Sequence, residues 1–308
     1  MPLFFFISGF FAYCHLDATR FKQKLRKRLF GQFTPTIVAF ILFGLWEQCD
    51  MMAKLASVNK HGLWFTLVVF EIFVILSVIN YMMDRRMRSV NYKISIYAII
   101  SSIALIGIWC CKNILAIQDI SNALSLPHVC AYLPFFCLGM VANIKQDRFF
   151  ELLRSPKIII GCGIAFFVTH FMSIIPYIYH RQVCGIFAIP VLCALFLHFE
   201  PKIFNSGTYV GRGLTYVGQH TLAVYFLHYF FFRFVNETTL GAILPMEILT
   251  SGKFFGFIFC LIMSLIIVGV TLAIEKLVMQ CRPLYAVLFG PIRTGDNYLI
   301  KYWEVCMR

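Results

Sequence analysis

The chain has 308 residues, of which 60% are hydrophobic and only 13% charged, and its mean hydropathy is +0.79. A water-soluble domain has no core large enough to hide that much apolar surface, so the composition excludes a soluble enzyme or binding module and points to a polytopic membrane protein. The net charge of +13 would suggest a nucleic-acid partner in a soluble protein, but loop orientation in a membrane explains it and no nucleic acid is expected.

The chain opens on a dense apolar run, MPLFFFISGFFAYC, followed by six basic residues: Arg20, Lys22, Lys24, Arg26, Lys27 and Arg28. A secretory signal carries its charge before the apolar region, so this is no signal peptide. It reads as the end of a membrane span and its cytoplasmic anchor. At 1.5 Å per residue, Met1 to Cys14 reach about 21 Å, short of a hydrocarbon core of about 30 Å. The chain is therefore expected to enter partway through a helix.

Long apolar windows predict spans near 1–14, 33–49, 62–83, 94–111, 128–144, 158–179, 182–199, 215–235 and 253–278. Only helices satisfy their backbone groups in lipid over such lengths. The expected fold class is all-α, a polytopic membrane helix bundle with about nine transmembrane helices of an expected ten. Lysine and arginine concentrate in 15–32, 84–93, 145–157, 199–214 and the tail from 276, while the alternate loops carry few. That alternation puts the first residue outside and the tail inside. The expected organisation is one membrane-embedded domain over 1–308 with a cytoplasmic tail from 279 to 308, multi-pass in the cell membrane. No expected outer loop is long enough to hold a folded module, so chemistry belongs inside the bundle or at its mouths.

Within the spans, an ionisable residue costs at least about 2.5 kcal/mol unless it faces a partner or water. Glu71 lies mid-span in GLWFTLVVFEIFVILSVINYMM and either lines a polar cavity or is bonded to a Tyr or Arg for packing alone. His228, in TYVGQHTLAVYFLHYFFF, either handles a proton or serves as a satisfied structural donor, with His220 near the inner end of the same span; His170 is a weaker candidate of the same kind. Pro134 and Pro190 fall inside spans, where the backbone groups they free must face protein or a wet cavity. The block around Lys24, Arg26 and Arg28 either anchors the span or binds a phosphorylated cytosolic molecule or anionic membrane lipid. Twelve cysteines include no CxxC pair, and many lie in apolar runs, so neither a disulfide framework nor a metal site is expected.

Three phrases in order, MPLFFFISGFF with its basic FKQKLRKRLF, then YLPFFCLGM, then YVGQHTLAVYFLH, resemble landmarks of the acyltransferase 3 family of integral membrane acyltransferases. The chain looks most like the sugar O-acetylase branch, similar to fucose 4-O-acetylases. The resemblance implies ten helices with both ends in the cytoplasm. It also implies transfer of an acyl group, usually acetyl, from cytosolic acyl-CoA to a hydroxyl of a cell-surface glycan or lipid-linked sugar. Acetyl-CoA is then a donor substrate, with no tightly bound cofactor.

Residue by residue, Ser8 and Gly9 match the family's FFFISG phrase, Arg28 matches the arginine after that helix, and Tyr225 and His228 match a YxxH phrase. The usual second arginine, three residues before Arg28, is Leu25 here, flanked by Lys24 and Arg26. The implied roles are phosphate binding for Lys24, Arg26 and Arg28, cavity chemistry for His228 and Glu71, and substrate contact for Ser8 and Tyr225. The family's proposed catalytic histidine belongs to a first helix preceding Met1, so a chain beginning here is expected to lack activity by itself. The competing readings are a polytopic transporter or flippase of a sugar or lipid precursor, and a non-catalytic relative.

Overall fold

The computed structural model describes residues 1–48, 50–57, 60–114, 118–171, 177–205, 207–234 and 253–290. Among them every regular element is helical, as the apolar windows require. In chain order the helices are α1 (Pro2–Ala12), α2 (Ala18–Arg28), α3 (Thr34–Glu47), a short α4 (Met51–Ala56), α5 (Trp64–Arg85), α6 (Val90–Asn113) and a short α7 (Gln118–Ala123). They continue as α8 (Leu126–Ile144), α9 (Gln146–Arg154), α10 (Pro156–Phe171), α11 (Tyr177–Phe199), α12 (Tyr209–Gln219), α13 (Thr221–Phe234), α14 (Lys253–Val278) and α15 (Arg282–Phe289).

Among the described residues, six helical segments are long and apolar enough to cross a bilayer: Ala18–Glu47, Trp64–Arg85, Val90–Cys111, Leu126–Ile144, Tyr179–Ile203 and Gly256–Val278. A seventh arises if α9 and α10, which meet at 80°, count as one broken span. The nine expected spans are not all reached among the described residues, for local reasons. The basic block expected as a loop is helical and runs through a π-type turn at Leu29–Phe33 into α3 as one segment of 30 residues. The window 215–235 is two helices, α12 and α13, separated by a turn at His220. The window 1–14 holds an 11-residue helix. The expected tail lies outside the described residues from 291 onward, as does the outer loop at 235–252.

The chain forms two compact units, one of residues 1–28 and 40–219, the other of 29–39 and 220–308. In the first, α1 packs along α8 with the two backbones in contact. A Cβ on Gly9 would stand 2.0 Å from the Phe136 carbonyl oxygen, and one on Gly139 would stand 2.0 Å from that of Phe6. With lipid outside as apolar as the side chains within, close backbone approach at small residues is what lets such helices associate. The approach seats the Phe5 ring on Tyr132, stacked at 4.4 Å. Around this contact gather Val68, Ile72 and Leu76 of α5 and Phe135, Phe136 and Met140 of α8, all buried.

The far end of α5 is tied down by polar groups. Asp84, buried, accepts from the backbone N–H of Leu16 at 2.8 Å and from the ammonium of Lys93 on α6. Asn80 donates to the Cys14 carbonyl at 2.9 Å and accepts from the Tyr97 hydroxyl at 3.2 Å. This network clamps the α1–α2 connection onto α5 and α6 and so fixes where α2 begins. In the second unit α13 packs on α14, and α14 leaves Phe257, Leu261 and Leu265 exposed.

Candidate active site

The first unit gathers polar side chains around the starts of α5, α8 and α11. His128 and Tyr132 are four residues apart on α8 and therefore share a face. Trp64, at the first turn of α5, stacks on His128 at 4.2 Å and on Tyr132 at 5.6 Å. Arg181 of α11 donates to the Tyr132 hydroxyl at 3.0 Å. The Lys60 ammonium, just before α5, donates to the carbonyls of Leu55, Ser57 and Asn122 at 2.9, 3.1 and 2.8 Å. Burial pushes the Lys60 ammonium below the ordinary lysine range, while the Glu71 carboxylate pulls it the other way.

Three polar atoms in this region are enclosed without a hydrogen-bond partner among the described residues, Glu71 Oε2, His128 Nε2 and, just before α8, Ser125 Oγ. Glu71 and His128 lie in the electrostatic reach of Lys60, and His128 also in that of Arg181. An acid and an imidazole with open hydrogen-bonding capacity, next to a guanidinium held by a phenol, can take a proton from a hydroxyl and hold developing negative charge on oxygen.

The basic helix α2 approaches from the other end of α5. Phe21 stacks on Tyr81 at 5.1 Å, and the Arg28 guanidinium lies 5.2 Å from the centre of the Phe73 ring. The two contacts run in opposite senses along the two helices, so α2 is antiparallel to α5 and its last arginine reaches the depth of Glu71, two residues from Phe73. Lys24 donates to the Ala12 carbonyl at 3.0 Å, satisfying the C-terminal end of α1. Lys24 and Arg28 are four residues apart and share a helix face; Arg26, two residues from Arg28, points elsewhere and is exposed. Ser8 is half-buried in α1, beside Gly9 at the crossing with α8.

His228 and Tyr225 belong to the second unit, on α13. His228 Nδ1 lies 3.1 Å from the Val224 carbonyl, where an Nδ1–H donates to its own helix, and its ring packs at 4.1 Å on Tyr229 and 5.6 Å on Tyr225. The YxxH phrase thus stands three residues apart on one helix face. The same unit pairs His220 with an acid that sequence reading missed. Glu275, 2% exposed on α14, lies 2.7 Å from His220 Nδ1 and accepts from the Tyr285 hydroxyl at 2.9 Å.

The family model described as an acyltransferase domain, that of acyltransferase 3, matches residues 1–273. The chain belongs to the acyltransferase 3 family. No curated protein and no solved structure matches it. The family and the six long apolar helices together make the chain a multi-pass membrane protein of acyltransferase type. Within this acyltransferase the sequence reading passed over His128 because it stands at the boundary of an apolar window, and over Lys60 and Arg181 because they looked like loop charges. Their signal was the aromatic phrase around them, Trp64 after Lys60 and Tyr132 four residues after His128.

Proposed function

We propose that this acyltransferase moves an acetyl group from cytosolic acetyl-CoA to a hydroxyl of a cell-surface glycan or lipid-linked sugar. It belongs, on this reading, to the sugar O-acetylase branch. The observation that carries the reading is the pairing along α5: positive charge on α2 descends from the Tyr81 end to Arg28 at mid-helix, while the orphaned acid and imidazole sit toward the Trp64 end. With the tail cytoplasmic, the first end faces the cytosol and the second faces outside.

Lys24 and Arg28 hold the donor's phosphates from one face of α2, and Arg26 adds positive charge at the surface. The acceptor sugar enters at Trp64, Tyr132 and Arg181. Its hydroxyl oxygen attacks the thioester carbonyl carbon as His128 Nε2, serving in place of the first-helix histidine that the resemblance implies and giving this chain a base of its own, takes the hydroxyl proton. Arg181 stabilises the oxyanion, the carbon–sulfur bond breaks, and the CoA thiolate leaves toward α2. Glu71 lines the passage, and Ser8 contacts the acyl chain from α1. No internal repeat of the transporter kind supports the flippase reading.

The test is acceptor-dependent release of CoA thiol by membranes carrying the protein, with O-acetylation of the acceptor read by mass. His128→Asn and Glu71→Gln should each lower kcat by about 100-fold, within the range general acid–base groups contribute, while melting temperature stays near wild type. Acceptor that crosses the membrane without gaining an acetyl group, or undiminished kcat in both variants, would sink the proposal.

A further inference from the structure

We infer that the acyltransferase carries a transition-metal site of the Zn2+ type where α10 meets α11, built from His170, His180 and Cys184. His180 and Cys184 are four residues apart on α11 and point the same way; His170 lies in the last turn of α10, which packs on α11. One ligand atom from each, two imidazole nitrogens and a thiol sulfur, all fall within 4.8 Å of one another.

The distances are those of a ligand set slightly opened. Zinc binds thiolate sulfur at about 2.3 Å and imidazole nitrogen at about 2.0–2.1 Å, so in a tetrahedral site ligand atoms stand about 3.3–3.6 Å apart. Cys184 Sγ and His180 Nε2 are already 3.6 Å apart. His170 completes the set by closing about 1 Å, well within the movement of an exposed imidazole at a helix end.

The surroundings suit a coordinated ion better than a packed thiol. The His170 ring is held by stacking on Phe166 at 5.6 Å, and the Thr169 hydroxyl, which donates to the Ala165 carbonyl at 2.8 Å, lies 3.6 Å from Cys184 Sγ. Cys184 is buried, His180 half-buried and His170 exposed, so the sulfur is shielded while the ion retains an entry path. Two nitrogens and one thiolate select a borderline ion such as Zn2+ over Mg2+ or Ca2+, which need oxygen ligands. Three protein ligands leave the fourth position to water or to a group of the substrate.

The site adjoins the polar cluster through sequence, since His180 precedes Arg181, the residue that bonds Tyr132. A metal here fixes the first turn of α11 and with it the register of that guanidinium. It stands independently of the transfer reaction, because occupancy is read without turnover.

The test is Co2+ and Zn2+ binding by the full chain, purified in detergent and stripped with chelator. Wild type should take up one equivalent of Co2+ with a thiolate-to-cobalt charge-transfer absorption, lose it to Zn2+, and melt at a higher temperature with Zn2+ than without. Cys184→Ser should abolish the charge-transfer band. Exposed His170→Asn, which threatens no core contact, should weaken binding by more than the roughly 10–100-fold that outer-shell changes cost. Cys193→Ser, elsewhere on α11, should bind as wild type does. No uptake by wild type, or a charge-transfer band that survives Cys184→Ser, overturns the site.

Discussion

Gly9→Ala should destabilise the acyltransferase far more than one methyl group suggests. The added Cβ would stand 2.0 Å from the Phe136 carbonyl oxygen, against an ordinary contact of 3.4–4 Å. The clash is with backbone, so no rotamer relieves it; α1 must move off α8 by more than 1 Å. Overpacking costs about 1–3 kcal/mol even where side chains can yield. Loosening the Phe5–Tyr132 stack adds part of the roughly 0.5–1.5 kcal/mol such pairs contribute. A loss of about 2–4 kcal/mol is expected, which at about 2–4 °C per kcal/mol lowers the melting temperature by about 4–16 °C. The assay is thermal unfolding of purified protein in detergent, followed by tryptophan fluorescence, with Gly161→Ala as the control because nothing lies within 4 Å of its added Cβ. If Gly9→Ala melted with the control, the backbone contact between α1 and α8 would be refuted.

The same measurement should show Asp84→Ala losing about 3–5 kcal/mol, because it strands the Lys93 ammonium in a buried site. Replacing both residues with apolar ones should cost less than Asp84→Ala alone, and an additive double variant would show the pair is not coupled. In acyl-transfer kinetics, Arg28→Ala should raise KM for acyl-CoA by about tenfold, equivalent to about 1.4 kcal/mol of binding. Arg26→Ala, on a different face of α2, should raise it less; equal effects would contradict a donor path along the Lys24 and Arg28 face.

The apolar windows made the helical class and the membrane setting legible, because lipid demands internally satisfied backbone and leaves a strong mark on composition. Windows report length, however, not continuity. The break at His220 inside a stretch that reads as one span, and the run of α2 into α3 across a stretch that reads as a loop, depend on packing that hydropathy does not carry. The charges at 84–93 looked like loop anchors, yet Asp84 and Lys93 are a buried pair holding the chain at Leu16. Gly9 drew notice through the FFFISG phrase, whose physical content is a helix crossing: only a residue without a side chain fits against Phe136.

A census of buried polar groups separates scaffold from site. A polar atom without a partner in an apolar interior forfeits several kcal/mol, so a membrane protein keeps one only where something else will engage it. Lys60 donates to three carbonyls, Asp84 accepts from a backbone amide and an ammonium, and Glu275 accepts from a phenol beside an imidazole. Each is closed upon itself and reads as architecture. Glu71 Oε2 and His128 Nε2 are open among the described residues, as is Ser125 Oγ three residues before His128. The same criterion that makes Lys60 a pin makes Glu71 and His128 the atoms an acceptor hydroxyl would satisfy, which is why their substitution should cost turnover while substitution of Asp84 costs stability.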